Sequence, residues 1–174
     1  ADDFFTAGVS AACGGTTTII PFAAQHRGQS LREVVDAYHA RARARAFVDY
    51  GFHLIVSDPT PAVLREELPG LVAGGCPSLK VYMTYDALKL SDRQMLDVFE
   101  AAGRLGALVL VHAENSDAVA WQTARLLAAG RTEPRHHRAS RPALAECEAT
   151  HRALALSELA GAAVLILHGA WREA

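Results

Sequence analysis

Strand-like runs recur at a nearly fixed interval along this chain, and that spacing restricts the fold more than any other feature. Apolar or β-branched runs begin at residues 16, 47, 78, 108 and 163: Thr16–Pro21, Phe47–Val56, Ser78–Met83, Leu108–His112 and Ala163–His168. The first four repeat about every 30 residues, the length of a strand–helix–strand unit. Helical patterns with their own start and stop signals lie between them. One runs from about Asp2 to Ala12 and stops at Gly14-Gly15; another opens with Ser30, with Glu33 placed for a capping box. A third starts at Asp58 or Thr60 and stops at Gly74-Gly75, and a fourth starts at Ser91 or Asp92 and stops at Gly106. The longer last interval holds the helix "NSDAVAWQTARLLAAG", the polar loop "RTEPRHHRASRP" and the helix "ALAECEATHRALALSELAG". Near-continuous apolar strands suit a parallel sheet covered on both faces.

The chain begins on a helix and ends soon after a strand, at "GAWREA". Such ends leave sheet edges open in a finished domain. The expectation is an α/β fold of the TIM (β/α)8 barrel type, with residues 1–174 as its central part, strands two to six, lacking the first and last strands. The competitor is a doubly wound five-stranded domain, which calls for a phosphate-binding glycine loop. Neither GxGxxG nor GxxxxGK[ST] occurs.

Composition narrows the partners. With 51% hydrophobic and 21% charged residues the chain can build a substantial core. Its net charge of −2 comes without a basic stripe, which argues against nucleic acid or an anionic membrane. No apolar run approaches the ~20 residues of a membrane span. Cys13, Cys76 and Cys147 are widely spaced with no CxxC, and "ADDFF" does not open like a secretory signal, so a reducing cytoplasm is expected.

The stretch "SLKVYMTY" places Lys80 inside a buried-looking strand, on one face with Ser78 and Tyr82 and opposite Leu79, Val81 and Met83. An unpaired ammonium there is costly, so either the face is wet or something specific holds the nitrogen. His112 and His168 end apolar runs, where imidazole serves as metal ligand or acid/base, or is simply hydrogen-bonded. In a barrel, chemistry gathers at those strand ends. His53, mid-strand, reads as a packed histidine or one that supports a ligand from behind, His136 and His137 as solvated, and His26, His39 and His151 have no partner at ligand spacing. Glu114 and Asn115 follow His112 and are placed to orient it, with helix capping an equal reading of Asn115. Tyr85 is either a phenol holding a substrate carbonyl or an ordinary rim aromatic, and Trp121 fits a helix core position.

Taken together, "GGTTTIIPF", "FHLIVSDP", "SLKVYMTYD", "LVLVHAEN" and "SRPALAECEATHRALALSELAGAAVLILH" resemble the D-hydantoinase/dihydropyrimidinase family, cyclic-amide hydrolases of the amidohydrolase superfamily. The spacings of 32 residues from Lys80 to His112 and 56 from His112 to His168 agree with the family pattern. The resemblance implies a zinc-dependent hydrolase that opens hydantoins or dihydropyrimidines to N-carbamoyl amino acids. It implies two zinc ions bridged by carbamylated Lys80, with His112 and His168 as ligands of the second metal and Tyr85 as the substrate-contacting tyrosine. The family's His-x-His pair belongs upstream and its catalytic aspartate downstream, so no general base is expected within this sequence and the segment alone is expected to be inactive. Small cyclic imides are the implied substrates and a homotetramer the implied assembly. The family's usual valine and serine after the last histidine are replaced by "HGAWREA". Other cyclic amidohydrolases, of allantoinase or dihydroorotase type, and a non-catalytic dihydropyrimidinase-like protein are the alternatives.

Overall fold

In the computed structural model the described residues are 2–172; Ala1, Glu173 and Ala174 lie outside them. Strands β2 (Phe22–Ala24), β4 (His53–Ile55), β5 (Ser78–Tyr82), β6 (Leu108–His112) and β7 (Val164–Ile166) form one sheet, ordered as in the sequence and with every pair parallel. This is a wall of the TIM-barrel type. A doubly wound sheet would reverse its order at a switch point, and this one does not.

The first two expected strands differ from their sequence reading. Thr16–Pro21 contributes only the short strand β1 (Thr18–Ile19); the sheet member is Phe22–Ala24, just beyond the expected end. Phe47–Val56 is likewise divided into β3 (Asp49–Tyr50) and β4. β1 pairs only with β3, in the same register as β2 with β4. Pro21 lies at the break and has no N–H for a ladder, although its carbonyl still accepts from His53 at 3.0 Å.

Helices cover one face of the sheet. α1 (Phe4–Cys13) starts two residues later than expected because Asp3 is its cap, in a capping box with Thr6. α2 (Leu31–Ala42) is capped by Ser30, but its box is only half formed. The Ser30 hydroxyl donates to Glu67 at 3.0 Å, and no return bond from Glu33 is present. A π-helical turn, Val63–Glu67, precedes α3 (Leu68–Ala73), with the Leu68 N–H reaching back to the Val63 carbonyl. Pro69 follows directly and cannot supply the next helical donor. α4 (Asp92–Leu105) has the full Ser91/Gln94 box and ends on left-handed Gly106, as its sequence predicts. α5 (Ser116–Ala128), the short α6 (His137–Ser140) and α7 (Ala143–Ala160) complete the chain up to β7.

Leu54, Leu79, Val81, Val109 and Val111 point to this helical side and are fully buried with Met95, Val98 and Phe99 of α4 and Ala149 and Ala153 of α7. Gly103 lets α4 approach the end of α7, since an added Cβ would stand 2.7 Å from the Gly161 carbonyl oxygen. Trp121 is not a core residue: it is 63% exposed and lies under the Arg125 guanidinium, 4.5 Å from its ring centre. Among the described residues no helix is long and apolar enough to cross a membrane.

Candidate functional site

The register of β5 and β6 decides which side chains meet. Lys80 stands opposite Leu110 and Ile55, and Tyr82 opposite His112, so these share the face turned away from the helices. Lys80 is 2% exposed and its Nζ has no hydrogen-bond partner among the described residues. Its nearest aromatic company is the Tyr82 ring, with Nζ 4.7 Å from the centroid. Burial pulls the Lys80 pKa down to about 8, because the charged form loses its water. His53 lies on the same face, its Nδ1 2.6 Å from the Ser78 hydroxyl and its ring packed on Phe22. That is the packed role read from the sequence.

His112, the last residue of β6, and His168, two residues beyond β7, come together across the strand ends. His112 Nδ1 is 3.0 Å from His168 Nε2, and the other ring nitrogen, Nε2, is 2.9 Å from Glu114 Oε2. The Tyr82 ring stacks on His112, so Lys80 and His112 both lie against the same phenol. Burial lowers the His112 pKa, with His168 and Lys80 acting in the same direction against the raising effect of Glu114. Glu114 itself stays below the ordinary carboxylate value: burial raises it, but hydrogen bonds from Arg141 and His112 outweigh that. Of Glu114 and Asn115, Glu114 is the one that meets the imidazole. Asn115 caps α5, accepting from the Ala118 N–H at 3.0 Å and donating to Glu148.

A cleft of about 280 Å³ opens above this pair, lined by Tyr85, His112, Glu114, Arg141, Glu146 and His168 among others. Tyr85 is 43% exposed, with its ring 5.1 Å from that of His112 and the Arg141 guanidinium over its other neighbourhood at 5.7 Å. His137 also lines the cleft, exposed at its mouth, whereas the sequence marked it only as solvated. Tyr85 and His168 adopt left-handed φ values of 70° and 42°, uncommon for residues with a Cβ. Two such residues in one cleft indicate a conformation imposed by surrounding contacts.

Lys80, Tyr85, His112 and His168 are thus brought to one side and one end of the sheet. Among the described residues no three His, Cys, Asp or Glu side chains are grouped for a metal. The donor set is instead two facing imidazoles and a buried, unpartnered amine, and the amine becomes an oxygen ligand only after modification. Those atoms fit a metal site that uses a carbamylated lysine: among the described residues the Lys80 Nζ has no hydrogen-bond partner and lies against the Tyr82 ring. Sequence reasoning did not mark Tyr82, Arg141 or Glu146. Alternation put Tyr82 on the Lys80 face, but nothing local points Arg141 at Glu114 across 27 residues.

No protein-family model matches the chain. It is 47% identical over 169 residues to a D-hydantoinase of Rhizobium radiobacter, a match covering 97% of this chain and 37% of that protein. A solved structure of a D-hydantoinase superposes with a TM-score of 0.95 at 45% identity, covering 99% of this chain and 38% of that one. The crystal structure of dihydropyrimidinase from Brevibacillus agri gives a TM-score of 0.94 at 44% identity, again covering 99% of this chain and 38% of the other. The chain therefore spans a little over a third of the length of these relatives.

Proposed function

Because the chain belongs to the D-hydantoinase/dihydropyrimidinase family along its length, we propose that it is the central part of the catalytic barrel of a zinc-dependent hydrolase. The reaction is opening of the cyclic amide of hydantoins or dihydropyrimidines to N-carbamoyl amino acids. The observation that carries this reading is the buried Lys80 amine, without a partner, on the face where His112 and His168 meet. An ammonium kept there for packing alone would be a liability. A neutral amine, favoured by burial, can add CO₂: the nitrogen–carbon bond forms, one proton leaves, and an anionic carbamate results.

In this reading carbamylated Lys80 would hold two zinc ions, with His112 and His168 as ligands of the second. Zinc, when bound, would supply a Lewis acid that lowers the pKa of water. The chain's own residues do the rest of what this segment contributes. Tyr82 covers Lys80 and keeps water from its nitrogen, and Glu114 holds His112 by its far nitrogen. Tyr85, at the cleft mouth, offers its phenol to the ring carbonyl of the substrate. The His-x-His pair and the general-base aspartate lie outside this sequence, so the segment alone does not turn over. Three unbridged cysteines suit a cytoplasmic enzyme, and assembly as a homotetramer follows the family.

The test uses the full reading frame that encodes this chain. Metal analysis and ring opening of hydantoin and dihydrouracil are measured for wild type, Lys80→Ala and Lys80→Arg. Wild type is expected to hold two zinc ions per subunit and to open one or both rings. Both variants should lose zinc and activity together, since neither alanine nor a guanidinium can become the anionic bridge. Equal zinc content and undiminished turnover in wild type and Lys80→Ala would return Lys80 to an ordinary strand residue.

A further inference from the structure

The two facing histidines are each held from one short stretch, where the chain enters α7. The first hold runs through Glu114. Its carboxylate accepts from the Arg141 guanidinium and faces His112 Nε2 at 2.9 Å. A carboxylate paired with a guanidinium only accepts, so His112 donates from Nε2 and keeps the Nδ1 lone pair turned toward His168, 3.0 Å away. The second hold is made by Glu146, five residues after Arg141 and in the first turn of α7. Its Oε1 accepts from the backbone N–H of Ala170 at 2.7 Å and of Trp171 at 3.1 Å, just after His168. His168 has a φ of 42°, and such a conformation persists only when its surroundings over-determine it.

We propose that residues 141–146 act as a positioning clamp for both imidazoles. Arg141 works through Glu114 to fix the tautomer and ring orientation of His112, and Glu146 works through the following backbone to fix His168. The proposal deepens the reading that these histidines hold a metal, and it rests on that reading. The clamp sets the two ring nitrogens facing before an ion arrives, with His168 Nε2 donating to the His112 Nδ1 lone pair, so less ordering is left for binding to supply. One hold comes from the residue that leads into α7 and the other from its first turn, which makes the separation of the two nitrogens depend on where α7 begins as well as on β6 and β7. A merely structural role would affect stability; a clamp affects tautomer and metal affinity.

The experiment again uses the full reading frame. Glu114→Ala, Glu114→Gln, Arg141→Met, Glu146→Ala and Glu146→Gln are compared with wild type. Zinc affinity is measured by chelator competition, the His112 tautomer by nitrogen NMR of the metal-stripped protein, and folding by thermal melts. Glu114→Ala and Glu146→Ala should each weaken one zinc by about 10–100-fold. The glutamine variants, which keep an acceptor oxygen, should recover most of that loss. His112 should be Nε2–H in wild type and lose that preference in Glu114→Ala and Arg141→Met. Unchanged zinc affinity in both alanine variants, or a His112 tautomer indifferent to Glu114, overturns the clamp. If the alanine variants do not fold, Arg141→Met decides by the same two readouts. A wild type without zinc overturns the function proposed above, and the tautomer measurement then still judges the clamp.

Discussion

Lys80 and Lys89 are the only lysines in the chain, and they occupy opposite surroundings within nine residues of each other. Lys89 stands in partial contact with water, 2.8 Å from the Asp86 carboxylate and 3.0 Å from the Ser116 hydroxyl. The Asp86 hydrogen bond raises its pKa, so it stays an ammonium. Lys80 is 2% exposed with no carboxylate partner among the described residues, and burial drives it the other way, to about 8. The same side chain is thus held as an ammonium in one place and drawn toward the neutral amine in the other. The difference comes from the strand: Lys80 points to the face carrying Tyr82 and His112, while Leu79 and Val81 beside it fill the helical core. The helical face of β5 secures the fold, and the opposite face carries Lys80 and Tyr82.

The contrast can be broken most severely at Lys80. In the full reading frame, Lys80→Ala is expected to abolish ring opening and remove zinc, while Lys89→Ala leaves both as in wild type; loss of zinc from both variants would erase the distinction. The next effect lies on the other face of the strand. Leu79→Ala empties a fully buried core position and should cost about 2–5 kcal/mol in denaturant unfolding, with metal binding lost only as the fold is lost. A smaller change of opposite sign is expected from Lys80→Met in the metal-stripped protein. Replacing an unpartnered buried amine by a group of similar length should stabilise it by about 1 kcal/mol, and a lower midpoint would mean that the amine is well solvated after all. Smallest of all, Lys89→Met should leave the unfolding midpoint where it was at moderate salt, because exposed ion pairs contribute little.

Much of the fold follows from short-range rules. Ser91, Gln94 and Gly106 mark the ends of α4 within a few residues of the bonds they make, and the structure keeps all three. Alternation along "SLKVY" assigns Lys80 to its face without any tertiary knowledge. The failures share a different cause. Ser30 and Glu33 have the pattern of a capping box, yet Glu67, from a different helix, takes the serine hydroxyl. Trp121 sits in an apolar pattern on α5, a helix none of whose residues is buried. The expected strand over Thr16–Pro21 ends where Pro21 interrupts the ladder, and the sheet resumes at Phe22.

The candidate site divides along the same line. Lys80, Tyr85, His112 and His168 could be named from strand ends and from resemblance, since each lies in or beside a strand whose position the βα spacing sets. The sequence by itself determined the parallel strand order, the face of Lys80 and the helix ends, because periodicity and capping act over one to four residues. Only the tertiary structure decided that Arg141 reaches Glu114, that Glu146 holds the backbone after His168, and that the Lys80 nitrogen has no partner among the described residues. The first two depend on where α7 packs against the sheet, the third on what the other strands turn toward Lys80, and no local pattern carries the position of one packed element relative to another.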